Sequence, residues 1–268
     1  PQEAAQTAPV PGAAAGPGNQ RPARPGGGAM PGQGGVSPQG GFPGAMGGTG
    51  EDAGTLTEGV SEGETKIPLL IKFDEFETGQ TYQGYTRLAL RTYGTSQDAA
   101  MLQEPVTNAI ASLVGMPVTE TAFTGFQLND GAETLYTLSE VIDEAYLAKH
   151  FSYAGGVLYK SEVGATLGYE GDDPTSYANS FSQETRENDA DLAPLIDFIR
   201  FLDESDDATF EAELPDYLDV EAFATYLALN NLLVNADSLV GMGNNYYLYY
   251  DDTAGRFTLL MWDANESM

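Results

Sequence analysis

The sequence predicts an α+β protein in two parts, a sheet-and-helix half followed by a mostly helical half. Three observations carry this. Short strand-like runs come first, at Ile67–Phe73 and Thr86–Arg91, and are followed by an apolar helical pattern. The long helical patterns come later, at 192–202 and 220–234. The stretch from Val220 to Asp263 then reads as helix, polar loop, tight hairpin and acid.

Residues 1–65 are of low complexity. Gly, Pro, Ala and Gln dominate up to Gly50, Arg21 and Arg24 are the cations there, and Glu51 to Glu64 is acidic. Such a segment lacks the apolar content to offset the entropy of ordering, so it is expected to be a disordered linker. A folded domain is expected over 66–268, its first lobe at about 66–140 and its second at about 141–268, incomplete at its end. The chain begins at Pro1 without Met and stops at Met268 soon after Asp263, and so reads as a fragment cut at both ends.

The two early strands are separated by turns at Gly79 and Gly84. A helix is expected over Asp98–Val114, with Met101, Leu102, Val106, Ile110 and Val114 on one side. Gly115 stops it, and Pro105 must either kink it or sit in its opening turn. A hairpin follows, Thr121–Leu128 and Thr134–Ser139 around the Asn129-Asp130-Gly131 turn. Glu140–Asp143 is a polar junction leading to a short helix, Glu144–Phe151. Gly155–Lys160 is a brief strand, 164–190 a polar excursion, Leu192–Leu202 a helix and Thr209–Tyr217 a connector. Asp219 is placed to cap the helix from Val220, whose buried stripe comprises Phe223, Leu227 and Val234 with Tyr226, Leu229 and Leu233 beside them. Asn235 to Asn245 forms an irregular loop, and Tyr246–Tyr250 and Arg256–Trp262 form a hairpin that ends at Asp263.

Eleven Lys and Arg stand against 40 Asp and Glu, a formal net charge of −29. That balance argues against a nucleic-acid or anionic-membrane partner, because both need cations on the protein. It suits a protein kept soluble in high salt, so a halophilic source is expected, with an ordinary acidic secreted protein as the plainer alternative. There is no cysteine and one histidine, His150, read as a surface residue at a helix end. Neither thiolate nor multi-histidine metal chemistry is available. No apolar run is long enough to span a membrane.

The chemistry this pattern suggests is phosphoryl transfer. Asp237, just after a buried helix, can take a proton from a hydroxyl. An Asn a few residues on and Asp263 after the hairpin can hold Mg²⁺ against nucleotide phosphates. The element order is that of a protein kinase: sheet, helix, sheet, junction, helical lobe, catalytic loop, metal-binding acid. No Gly-x-Gly-x-x-Gly loop is present.

The chain resembles the CotH family of secretory kinases, similar to spore coat protein H. The resemblance runs from Lys66 to Asp263 and rests on Ile71-Lys-Phe-Asp-Glu-Phe76, Leu88-Ala-Leu-Arg91, Asp98 to Glu104 with Val114-Gly-Met-Pro117, Leu135 to Asp143, Gly156-Val-Leu-Tyr-Lys160, Asn235-Ala-Asp237, Asn245 to Tyr249 and Trp262-Asp263. It implies an atypical protein-kinase-like two-lobed fold, truncated at its C-terminus, that uses ATP and Mg²⁺ to phosphorylate Ser or Thr of secreted or cell-surface proteins. It implies an extracellular or surface location, with a signal peptide outside this fragment. Asp237 resembles the catalytic Asp, Asn245 and Asp263 the metal ligands, and Glu104 the helix acid. Arg91, Lys160 and Lys72 are candidates for the phosphate-facing cation, and Glu140 to Asp143 for the adenine-side junction. A non-catalytic kinase-like scaffold in a surface or coat assembly is the alternative. A Ca²⁺-binding surface protein rests only on acid pairs that lack calcium-loop spacing.

Overall fold

The computed structural model describes residues 67–92 and 100–268, and the expected linker at 1–65 lies outside them. The described chain is α+β, built on two four-stranded antiparallel sheets. The first sheet contains β1 (Leu69–Lys72), β2 (Arg87–Arg91), β3 (Thr121–Phe126) and β4 (Thr134–Glu140), in the order β1-β2-β4-β3. Helix α1 (Gln103–Leu113) joins β2 to β3. It begins later than the sequence suggests. Residues 98 and 99 of the expected helix lie outside the described residues, and Pro105 sits in the first turn, where its missing N–H costs no helical hydrogen bond.

The second sheet contains β5 (Val157–Ser161), β6 (Phe181–Gln183), β7 (Tyr246–Asp251) and β8 (Arg256–Met261), in the order β6-β5-β7-β8. The helices are α2 (Glu144–His150), α3 (Ala193–Glu204), α4 (Asp207–Tyr217) and α5 (Val220–Leu232). The second half is thus not mostly helical, because its strands pair across long sequence distances into a complete sheet. Alternation along these strands gives the sheet two buried faces. One carries Tyr159, Tyr246, Leu248, Phe257 and Leu259 into a core shared with α3 and α5. The other carries Leu158, Tyr247, Tyr249 and Leu260 against Tyr146 and Leu147 of α2.

Several local expectations change. The expected connector at 209–217 is helix α4, capped by the Asp206 side chain, which accepts from the Thr209 N–H. It buries no residue fully and places Pro215 in its last turn, so neither apolar period nor composition marks it. The polar excursion contains β6 and contributes Tyr177 and Phe181 to the core. Val234 is exposed and lies beyond the end of α5, at φ 51°, an unusual conformation for a β-branched residue. His150 is partly buried against Tyr146, ring centroids 4.4 Å apart, and is not a surface residue. Asp219 caps α5 as expected, accepting from the Ala222 N–H at 3.1 Å.

Candidate functional site

The loop after α5 is held by a buried polar network. Asn230 donates to the Tyr226 carbonyl at 2.9 Å, and Asn235 donates to the Asn230 side chain at 2.8 Å. The Ser238 hydroxyl donates to the Asn235 carbonyl, and the Tyr226 hydroxyl accepts from the Leu239 N–H. The loop closes so tightly that a Cβ on Gly241 would lie 1.8 Å from the Ala236 carbonyl oxygen, so only glycine fits there. This frame presents Asp237.

Asp237 is half-buried, and Asn245 Nδ2 donates to its Oδ2 at 2.6 Å. Burial pushes its carboxyl above the ordinary carboxylate range. Hydrogen bonds from Asn244 and Asn245 oppose that shift, and the negative charge of Asp263 adds to it. Asn244 donates to Asp237, yet its buried Oδ1 has no hydrogen-bond partner among the described residues. A buried acceptor left unpaired beside two carboxylates suits an occupant with positive charge.

The end of the second sheet fixes the spacing. The Trp262 N–H donates to the Asn245 carbonyl, which sets Asp263 next to the loop end. Asn245 and Asp263 both adopt the left-handed conformation, at φ 55° and 51°, which Asn and Asp tolerate better than most residues. In β5, Lys160 lies opposite Tyr247 of β7 and Ser182 of β6, on the sheet face that also carries Trp262.

The first sheet supplies the other half. Arg91, at the end of β2, is 6% exposed. Its Nη1 lies 3.4 Å from Glu104 Oε1 in the first turn of α1, and it donates to Asp263 Oδ1. Its guanidinium lies over the Trp262 ring at 4.3 Å, and Tyr247 meets that ring edge-on. Burial alone would lower the Arg91 pKa, but Asp263 and Glu104 outweigh it and hold the residue firmly cationic. Arg91, Glu104 and Asp263 therefore form one cluster, joined to Asp237 through the Asp263 field and to Asn245 through the Trp262 backbone.

Glu140 stands elsewhere. It pairs in register with Leu88, at the other end of β2 from Arg91, and it accepts from the Glu120 N–H. Lys149 reaches it at 3.3 Å and Glu120 at 2.6 Å. The Thr86 hydroxyl donates to Asp143, the N-cap of α2. These residues surround a cleft of about 270 Å³ that does not include Arg91, Asp237 or Asp263. Lys72 pairs with Glu75 at the start of the first sheet.

The donor set fits a hard cation. Asp237 lies within the field of Asp263, and the buried Asn244 Oδ1 beside Asp237 has no hydrogen-bond partner among the described residues, where no group of three or more His, Cys, Asp and Glu could hold a metal through those side chains alone. Mg²⁺ characteristically takes one or two carboxylates and completes its shell with water and phosphate. Trp262 and Asn244 are the site residues that sequence reasoning missed or ranked second. Trp262 is the chain's single tryptophan, directly before the expected metal acid, which was the available signal.

A family model described as CotH kinase protein matches residues 56–268. Inner spore coat protein H of Bacillus subtilis (strain 168) is 24% identical over 192 residues, which cover 70% of this chain and 51% of that protein. The chain thus spans about half the length of that relative. No helix among the described residues is long and apolar enough to cross a membrane.

Proposed function

The chain belongs to the CotH kinase protein family, and from that premise we propose that it transfers the γ-phosphoryl group of ATP, with Mg²⁺, to Ser or Thr hydroxyls of secreted or surface proteins. The observation that carries this reading is the convergence of Asp237 and Asn245 from the loop, Asp263 from the end of β8, Arg91 from β2 and Glu104 from α1. The residues come from three separate stretches of the chain, 91–104, 237–245 and 263. The order of the first sheet, with a helix between its second and third strands, supports a kinase-like two-lobed arrangement.

In this reading Asp237 accepts the proton of the acceptor hydroxyl as its oxygen bonds to the γ-phosphorus. The bond from that phosphorus to the bridging oxygen breaks, and ADP leaves with the electron pair. Phosphoryl transfer asks for positioning and charge neutralisation more than for covalent chemistry. Asn244 and Asn245 orient the Asp237 carboxylate toward the acceptor. Asn245 and Asp263, with the unpaired Asn244 Oδ1, would hold Mg²⁺, which neutralises charge on the phosphate oxygens when bound. A location at a coat or cell surface follows the name of the relative, and the protein acceptor is of the same setting.

The test is transfer from γ-labelled ATP to Ser- and Thr-containing peptides in the presence of Mg²⁺. Label should be incorporated by the wild-type chain and lost with chelator, Asp237→Asn and Asp263→Ala. Equal incorporation by both variants would refute the assignment. A folded chain that binds no nucleotide would place it among non-catalytic scaffolds.

A further inference from the structure

The loop that presents Asp237 also carries exposed apolar side chains, which phosphoryl transfer itself does not need. Resting on the kinase reading above, we propose that Val163, Val240 and Met242 form an apolar lip for the acceptor chain. The Ser or Thr that is modified then carries a large apolar residue within about two positions of it.

Exposure picks these residues out. Val163 is 67% exposed, Val240 42% and Met242 60%. Their backbone is pinned beside Asp237. The Met242 N–H donates to the Ala236 carbonyl at 2.9 Å, and the Gly241 and Gly243 N–H groups both donate to the Ser238 carbonyl. The turn at 238–243 thus folds back onto the two residues that flank Asp237. Val163 arrives from the end of β5. The Ser161 hydroxyl donates to the Tyr246 carbonyl at 2.9 Å and accepts from the Tyr246 N–H at 3.2 Å, which ties that strand end to the residue after Asn245. The Ala165 N–H donates to the Glu162 carbonyl, so Val163 and Gly164 form the tip of a tight turn. A Cβ on Gly243 would lie 3.3 Å from the Ala165 carbonyl oxygen, so the two turns abut.

The local charge pattern names the partner. The chain has 40 acidic residues in 268, yet Asp237 is the only charged residue between Leu232 and Tyr250, and Val163 to Tyr169 carries none. A basic acceptor segment would find Asp237 and, at the foot of the other turn, Glu162. An apolar one finds three side chains to cover, which is favourable in proportion to the area taken from water. Met242 is unbranched and polarizable, and adapts to apolar partners of more than one shape. A single exposed apolar residue is ordinary on a protein surface, whereas three on two abutting turns beside the candidate base form a patch. An extended acceptor chain advances about 3.3 Å per residue, so the neighbours of a hydroxyl held at Asp237 pass these side chains.

The experiment is transfer from γ-labelled ATP, with Mg²⁺, to peptides that share a single Ser in a Gly/Gln host and differ in one flanking residue. That residue is Leu, Ala, Lys or Glu, placed in turn at each of the nearest two positions on either side. For wild type, kcat/KM should be about tenfold or more higher for Leu than for Ala at one of these positions, through a lower KM for peptide, with Lys no better than Ala. Met242→Ser should bring the Leu-to-Ala ratio to within about threefold of unity, and Val163→Ser and Val240→Ser should each lower it about threefold. Phe76→Ser, at a residue 95% exposed in the connection between β1 and β2, should keep the wild-type ratio. The wild-type comparison stands even where a variant fails to fold. Equal kcat/KM for Leu and Ala at every position, or a preference for Lys or Glu over Leu, would overturn the lip. So would a Leu preference that survives in all three lip variants. Label in no peptide would instead overturn the kinase reading, and the lip with it.

Discussion

Strands β2 and β4 carry a charged cluster at each end, and the two differ in one respect that matters. At the Glu140 end, the Lys149 ammonium lies between two acids, Glu120 also accepts from Tyr85, and Asp143 caps a helix. That network is satisfied by its own members and brackets α2 against the sheet. At the Arg91 end, two acids share one cation, a third acid lies close by, and a buried asparagine oxygen has no hydrogen-bond partner among the described residues. A satisfied charge cluster describes architecture, whereas an acid-rich one with an unpaired acceptor describes a place for something else. On this contrast Glu140 belongs to the satisfied network at the end of β2 away from Arg91.

The largest effects should come from the Arg91 end. Asp237→Asn should lower phosphoryl transfer by about 10²- to 10⁴-fold, the usual contribution of a positioned base, while leaving nucleotide affinity near wild type; steady-state kinetics and calorimetry together check this. Gly241→Ala should remove activity as well, because its methyl group would collide with the Ala236 carbonyl and displace Asp237. Loss of transfer with retained unfolding temperature would place that effect in the loop.

The Glu140 end should behave oppositely. Lys149→Met leaves Glu140 buried without its cation. It should cost about 1–3 kcal/mol in denaturant unfolding and leave nucleotide binding unchanged. A large loss of affinity in that variant would erase the contrast. Burial raises Glu140 above its ordinary pKa, with the Glu120 N–H and Lys149 opposing. The folded state therefore favours the protonated form. Its stabilising contribution is full below the ordinary glutamate value and is lost as pH rises through the raised one. Glu140→Gln should flatten stability against pH in the window just above 4.5, as read by denaturant midpoints.

The smallest effect concerns His150. Burial lowers its pKa, and nearby Lys149 adds to the shift. As the chain's single histidine it gives one imidazole signal, which should titrate below 6.5 by proton NMR and move upward in Lys149→Met. A midpoint at or above 6.5 would show the ring to be solvated.

The sequence made some of this legible. Short runs bounded by turn residues marked β2, β4 and the β7–β8 hairpin, and Asp219 marked the start of α5, because those signals are local. Asp237 and Asp263 stood out from their places on either side of that hairpin, and the family resemblance pointed to Asn245. Helix α4 was not, because it has no buried stripe and carries Pro215. Nor was the pairing of Arg91 with Asp263, because that contact spans 172 residues and depends on how two sheets meet. Glu140 was read from its place in the chain order as part of the adenine-side junction, and strand register puts it at the opposite end of β2 from Arg91.

The most direct test is ATP binding by calorimetry with and without Mg²⁺, over a series of salt concentrations, for wild type and Asp263→Ala. The account expects binding that requires Mg²⁺ and disappears in the variant while the fold persists. Binding that is indifferent to Mg²⁺ or to Asp263, or no binding by a folded chain at any salt, would contradict it.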